Sequence, residues 1–283
     1  MHSISSTKPI WEKRYQGEVC YLSCPQLEET GIVKHGFSTR IGGVSKGIFE
    51  SMNLSFTRGD DEDAVSENFK RFANAIDVDY RDLVFTHQTH TINVRKVTAD
   101  DKGKGMITPL DYQDVDGLIT NVPGICLTTF YADCVPLFVI DPVQKAIGLS
   151  HSGWRGTVSK MGQATLEKMQ EAYGTNPSDV LVAIGPSICQ NCYEVSEDVA
   201  IEFQKAFRDI WWDELFYRKE NGKYQLNLWK ANEIIFLESG VKKENIAVTD
   251  VCTNCNPDLL WSHRATKGER GSLAAFMALK QEV

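Results

Sequence analysis

The 283-residue chain is 42% apolar and 24% charged, with a formal net charge of −8. Those values suit a soluble globular protein. Acidic charge without any basic block excludes a nucleic-acid binder, which needs a clustered positive patch; a small anion would have to be held by a few local donors.

The opening "MHSISSTKPIWEKRYQGE" is polar and lacks the apolar core of a signal peptide. No stretch reaches the roughly 18 apolar residues of a membrane span. The expected setting is a reducing cytoplasm with no membrane partner. There, Cys20, Cys24, Cys126, Cys134, Cys189, Cys192, Cys252 and Cys255 would be thiols and not a disulfide framework. No repeat, low-complexity tract or Pro/Gly/Ser linker divides the chain, so residues 1–283 are expected to form one domain.

After an N-terminal strand region, "IVKHGFSTRIGGVSKGIF" reads as a strand running into a glycine-rich loop. "GDDEDAVSENFKRFANAI" is an amphipathic helix, with Val65, Phe69, Phe72 and Ile76 on one face and acids in its first turn. "LVFTHQTH", "TINVRKV" and "DGLITN" follow as extended segments. "ICLTTFYADC" and "VPLFVI" precede the turn "DPVQK", and "AIGLSH" returns as a hairpin partner. A helix from about Thr157 to Tyr173 is closed by Gly174, with Pro177 shortly after. "VLVAIG" is a buried strand. "SEDVAIEFQKAF" and "NLWKANEIIFLESG" are helices with Ser196 and Asn227 as N-caps. "NIAVTDVCTNC" reads as a strand, and the chain is expected to end in a helix after "RGS". Strands and helices mix without strict βαβ alternation, which implies an α/β (α+β) fold: a mixed β-sheet flanked by helices.

His2 is near the start of the chain; His35, His87, His90, His151 and His263 fall at strand ends beside loops, where such folds place sites. His90, Cys134 and His151 each close a predicted strand. Two imidazoles and a thiolate suit a borderline-soft metal such as zinc, and three protein ligands leave a position for water. Spacing alone favours a plainer reading, with two satisfied histidines and a small core cysteine. The pairs "CQNC" (189–192) and "CTNC" (252–255) lie too far apart for an ordinary zinc ribbon, which favours reduced structural cysteines. The deaminase pattern H-x-E with P-C-x-x-C is absent. In "STRIGGVS", Arg40 and paired glycines could form an anion nest, and Arg155 in "HSGWRG" with His263 and Arg264 in "SHR" add basic groups beside loops.

In order along nearly the whole chain, "HGFSTRIGGVS", "HQTH", "DGLITN", "ADCVPLFVID", "IGLSHSGWRGT", "IGPSICQNCYEV" and "CTNCNPDLLWSHR" resemble the family long labelled polyphenol oxidase or multicopper laccase-domain proteins. Its members are now viewed as purine nucleoside phosphorylases. The resemblance implies one cytoplasmic α/β domain. It also implies metal ligands at His90, Cys134 and His151, and places "GWRG" beside the substrate. Family members often carry a second arginine where this chain has Ala265.

Three functions then compete. In the first, a nucleoside and phosphate give free purine and ribose 1-phosphate, with arginine loops holding the anion; the resemblance adds adenosine deamination at zinc. The second is copper oxidation of phenols, since His₂Cys is also a blue-copper ligand set. Only four histidines would remain for a trinuclear cluster, which disfavours it. The third is a metal-free hydrolase with Cys134 as nucleophile and His151 as base. The oligomeric state is open.

Overall fold

The computed structural model describes residues 9–281, so His2 and the first part of the polar opening lie outside the described residues. In chain order the elements are β1 (Glu12–Gln16), β2 (Val19–Ser23), α1 (Pro25–Glu28), β3 (Val33–Ser38), α2 (Glu62–Ala75), β4 (Leu83–Phe85), β5 (Val94–Lys96) and β6 (Gly117–Thr120). Next come β7 (Cys126–Tyr131), β8 (Val135–Asp141), β9 (Ala146–Ser152), α3 (Trp154–Val158), α4 (Met161–Tyr173), β10 (Leu181–Ile184), β11 (Glu194–Val195) and α5 (Glu197–Ala206). The last are α6 (Trp212–Leu215), β12 (Phe216–Arg218), β13 (Tyr224–Leu226), α7 (Leu228–Glu238), β14 (Ile246–Val248), α8 (His263–Thr266) and β15 (Leu273–Leu279). Among the described residues, no helix is long and apolar enough to cross a membrane.

The fold is mixed α/β, as expected, but the strands form two large sheets and a small one. One six-stranded sheet runs β1-β2-β3-β15-β7-β4, the other β14-β10-β8-β9-β6-β5, and β11-β13-β12 form the third. Both large sheets mix parallel and antiparallel pairs. They share a common interior, where Phe37, Leu127, Ala275 and Met277 of the first meet Leu118, Phe138, Ile140 and Leu149 of the second. Helix α2 covers the outer face of the first sheet through Val65, Phe69 and Phe72. Helices α4, α5 and α7 cover the second through Met169, Phe203, Ile234 and Phe236.

This layering explains two corrections. The segment after "RGS" is not a helix but β15, antiparallel to both β3 and β7. Leu273, Ala275 and Met277 point into the shared interior, while Ala274, Phe276 and Ala278 face α2. With both faces buried, "LAAFMAL" loses the alternation that marks a half-exposed strand. The expected helix from Thr157 is two helices, because Lys160 takes a left-handed φ of 64° between α3 and α4. The side chain of Asn227 caps α7 by accepting from the Lys230 N–H, whereas Ser196 precedes α5 without a side-chain cap bond. His35 is inside β3 and buried, not at a strand end.

Candidate metal and anion site

Three strand ends meet where the chain crosses between the large sheets. His90 lies in the loop from β4 to β5, Cys134 in the turn from β7 to β8, and His151 near the end of β9. Tyr131, the last residue of β7, ties the sheets together there by donating from its hydroxyl to the Ser150 carbonyl (3.1 Å). One ligand atom from each of His90, Cys134 and His151 lies within 4.8 Å of the others. The two imidazoles stand nearly perpendicular, 78° apart with centroids 5.0 Å apart. His151 is buried, Cys134 half-buried and His90 exposed, so the cluster opens on one side only.

Asp116, fully buried at the start of β6, organises the cluster. Its carboxylate accepts the Thr89, His90 and Thr91 backbone N–H groups (3.0, 3.1 and 2.9 Å). It also bonds His151 Nδ1 at 2.8 Å. That contact turns the other ring nitrogen of His151, Nε2, towards Cys134, as an orienting carboxylate does for a metal-bound histidine. It also pins the loop that holds His90 at φ 66°, a left-handed conformation that a bulky residue adopts only when its surroundings enforce it. Asp133, just before Cys134, is likewise left-handed (φ 86°); its carboxylate accepts from Thr253 Oγ1 (2.6 Å) and the Arg264 N–H (2.7 Å).

Gly153 has an ordinary backbone, but a Cβ there would sit 3.0 Å from the His90 ring and 3.1 Å from Cys134 Sγ. Only glycine fits. Burial opposes ionisation of Cys134, but the charge of His151 and hydrogen bonds from His151 and His90 outweigh it and lower the thiol pKa. Burial similarly opposes charge on His151, and contacts with Cys134 and Asp116 raise it.

A cavity of about 930 Å³ opens over the cluster. Phe56, Phe85, Phe130, Tyr131, Trp154 and Tyr193 form aromatic walls, and His87, His263, Arg58, Arg264 and Arg270 supply polar and cationic groups. Arg270 is half-buried: burial, with Arg58 nearby, lowers it to about 10, and its Nε has no protein partner. Arg264 lies over the Tyr193 ring, 5.3 Å from its centroid, and donates to the Glu194 carbonyl (3.0 Å). Arg155 stacks on Trp154 at 4.3 Å beside the cavity without lining it. Arg40 is elsewhere. Its guanidinium donates to the Glu50 and Pro257 carbonyls (both 2.9 Å) and stacks on Trp261. Ala265 lies in α8, whose N-cap is Ser262: the Ser262 Oγ accepts the Ala265 N–H (3.1 Å).

The structure thus brings His90, Cys134, His151, His263 and Arg264 to one cavity, sets Arg155 at its margin and leaves Arg40 outside. Sequence reasoning missed Asp116, Arg58 and Arg270, and placed Gly153 only as part of the "GWRG" loop beside the substrate. Both arginines adjoin glycines, in "TRGDD" and "ERGS", as Arg155 does in "WRGT".

Residues 34–280 match the family model described as "Multi-copper polyphenol oxidoreductase laccase". The purine nucleoside phosphorylase YlmD of Bacillus subtilis is 37% identical over 87% of this chain and 88% of its own. The protein of the same name from Geobacillus stearothermophilus is 34% identical over 93% and 95%. A crystal structure of YlmD from Geobacillus stearothermophilus superposes with a TM-score of 0.88 at 32% identity, covering 97% of this chain and all of that one. The chain therefore belongs to the multi-copper polyphenol oxidoreductase laccase family, with curated relatives named purine nucleoside phosphorylases.

Proposed function

We propose that the chain is a zinc-dependent purine nucleoside phosphorylase that also deaminates adenosine. The observation that carries this reading is a single cavity joining an open His-Cys-His cluster, aromatic walls and three arginines. The naming of relatives as purine nucleoside phosphorylases agrees with it. The donor set suits zinc: two nitrogens and a sulfur close together, one open side, and a carboxylate behind a ligand histidine. Among the described residues no other cluster of possible metal ligands contains an imidazole, which does not favour the histidine-rich centres of multicopper oxidation.

The substrates would be adenosine or inosine, and 5′-methylthioadenosine by the same chemistry, together with phosphate. The aromatic walls take the flat purine, which stacks on rings such as Phe130 and Tyr193. Arg58, Arg264 and Arg270 hold the phosphate and keep its charge through the transfer. As a phosphate oxygen bonds to C1′ of the ribose, the bond from C1′ to the purine nitrogen breaks and its electron pair leaves with the base. His87 and His263 are the imidazoles on the wall that can supply the departing base with a proton. Bound at His90, Cys134 and His151, zinc would supply a Lewis acid and lower the pKa of water towards neutrality, the chemistry deamination requires.

A second reading has its own observation, the alignment of Cys134, His151 and Asp116, which also suits a metal-free cysteine hydrolase. Metal content separates the two. Elemental analysis should find zinc in the wild type, with about one ion per chain lost in Cys134→Ser along with adenosine turnover. Unchanged zinc in that variant, or full turnover without any metal, would remove the zinc-dependent reading.

A further inference from the structure

The two cysteine pairs that spacing had set aside converge. Cys189, Cys192, Cys252 and Cys255 each offer a sulfur, and the four lie within 4.8 Å of one another. They are 60 positions apart at their nearest in sequence, Cys192 to Cys252, but a parallel bridge joins Ser187 to Cys252. The Ser187 N–H donates to the Val251 carbonyl and the Thr253 N–H to the Ser187 carbonyl (3.3 and 3.1 Å). Each C-x-x-C then turns back on itself, the first through the Cys192 N–H to the Cys189 carbonyl (3.1 Å), so both pairs face the same point.

Cys192 Sγ and Cys255 Sγ are 3.4 Å apart. Four sulfurs at the usual zinc distance of about 2.3 Å form a tetrahedron with edges of about 3.8 Å. A disulfide would need a sulfur separation of about 2.05 Å. The Cys189 N–H points at Cys252 Sγ (3.3 Å), a charge-assisted bond once that sulfur is a thiolate. Cys189 and Cys252 are buried and the other two half-buried, as suits a closed structural site.

We propose that these four thiolates bind a structural zinc, separate from the His90–Cys134–His151 cluster. Binding exchanges the thiol protons for the metal and needs no oxidant. The brace would lie behind the cavity wall. Cys192 precedes Tyr193, which lines the cavity, and Thr253 holds Asp133 beside Cys134. A metal there would fix two supports of the pocket without touching substrate.

The test is zinc content of full-length protein purified with a thiol reductant and zinc, measured with the intact mass. Wild type should carry about two ions per chain, and His90→Ala/His151→Ala, which empties only the central cluster, should keep about one. Cobalt(II) loaded into that double variant should show the intense thiolate charge-transfer bands of an all-sulfur site. Cys192→Ser/Cys255→Ser should lose one ion; if it fails to fold, the histidine variant alone decides. Absence of zinc from the histidine variant, or a mass showing the four cysteines paired as disulfides, overturns the proposal. Zinc retained by Cys134→Ser but lost from Cys192→Ser/Cys255→Ser would support it even if the central cluster bound nothing.

Discussion

Gly153 shows how little room the cluster allows. A methyl there would stand 3.0 Å from the His90 ring and 3.1 Å from the Cys134 sulfur and would have to displace one of them. Gly153→Ala should reduce bound zinc by 10-fold or more in affinity, a loss of the order seen when a metal site's supports are removed, while the thermal midpoint moves only a few degrees. Metal competition with a chromogenic chelator checks this, and unchanged affinity would mean that the ring and sulfur are not held by this contact. The arginines divide in a similar way. Arg58→Ala and Arg270→Ala should raise the phosphate KM about 10-fold or more, as loss of a charged hydrogen bond of about 1.5–3 kcal/mol implies. Arg40→Ala should leave it unchanged, because Arg40 is spent on the Glu50 and Pro257 carbonyls. Equal effects from Arg40→Ala and Arg270→Ala in phosphate titrations would contradict this division.

The elements most legible in the sequence are those with one wet face. Helix α2 shows its apolar stripe because one side meets the sheet and the other solvent. Strand β15 is buried on both faces, so its sequence carries no alternation to set it apart from a buried helix. The same holds for the division into two sheets: the apolar strands β7, β8 and β9 do not say which neighbour each will choose. His35 in β3 carries a testable consequence of such burial. It is held neutral, accepts the Cys24 N–H (3.0 Å), and burial pushes its pKa down from 6.5 to about 4. The unfolded chain therefore binds a proton more readily than the native one. The stability this group allows is intact above about pH 6.5 and is lost as pH falls towards 4, by about 3 kcal/mol in all. Denaturant unfolding at several pH values should show that slope, and His35→Gln should flatten it. An unaltered slope in the variant would place the acid sensitivity elsewhere.

Across the molecule, the site is made by topology. The chain crosses between the sheets beside His90 and again at Cys134, and β9 brings His151 to the same end. The residue types at these positions were readable, and the order of motifs carried the family. The mutual distances were not readable, because they depend on strand pairings remote in sequence. Asp116 escaped notice for the same reason: an acid before "GLIT" looks like a turn residue until it is seen buried under three backbone N–H groups. The cavity over the cluster, with arginines from the segments around residues 58, 264 and 270, is where the proposed phosphate co-substrate would be held. Chromatography of the products from adenosine and zinc-loaded wild type, with and without phosphate, tests this most directly. With phosphate, adenine and ribose 1-phosphate should form together with some inosine; without it, adenine release should stop while inosine still appears. Adenine released equally in the absence of phosphate would mean hydrolysis, and no purine turnover in either condition would contradict the proposed function altogether.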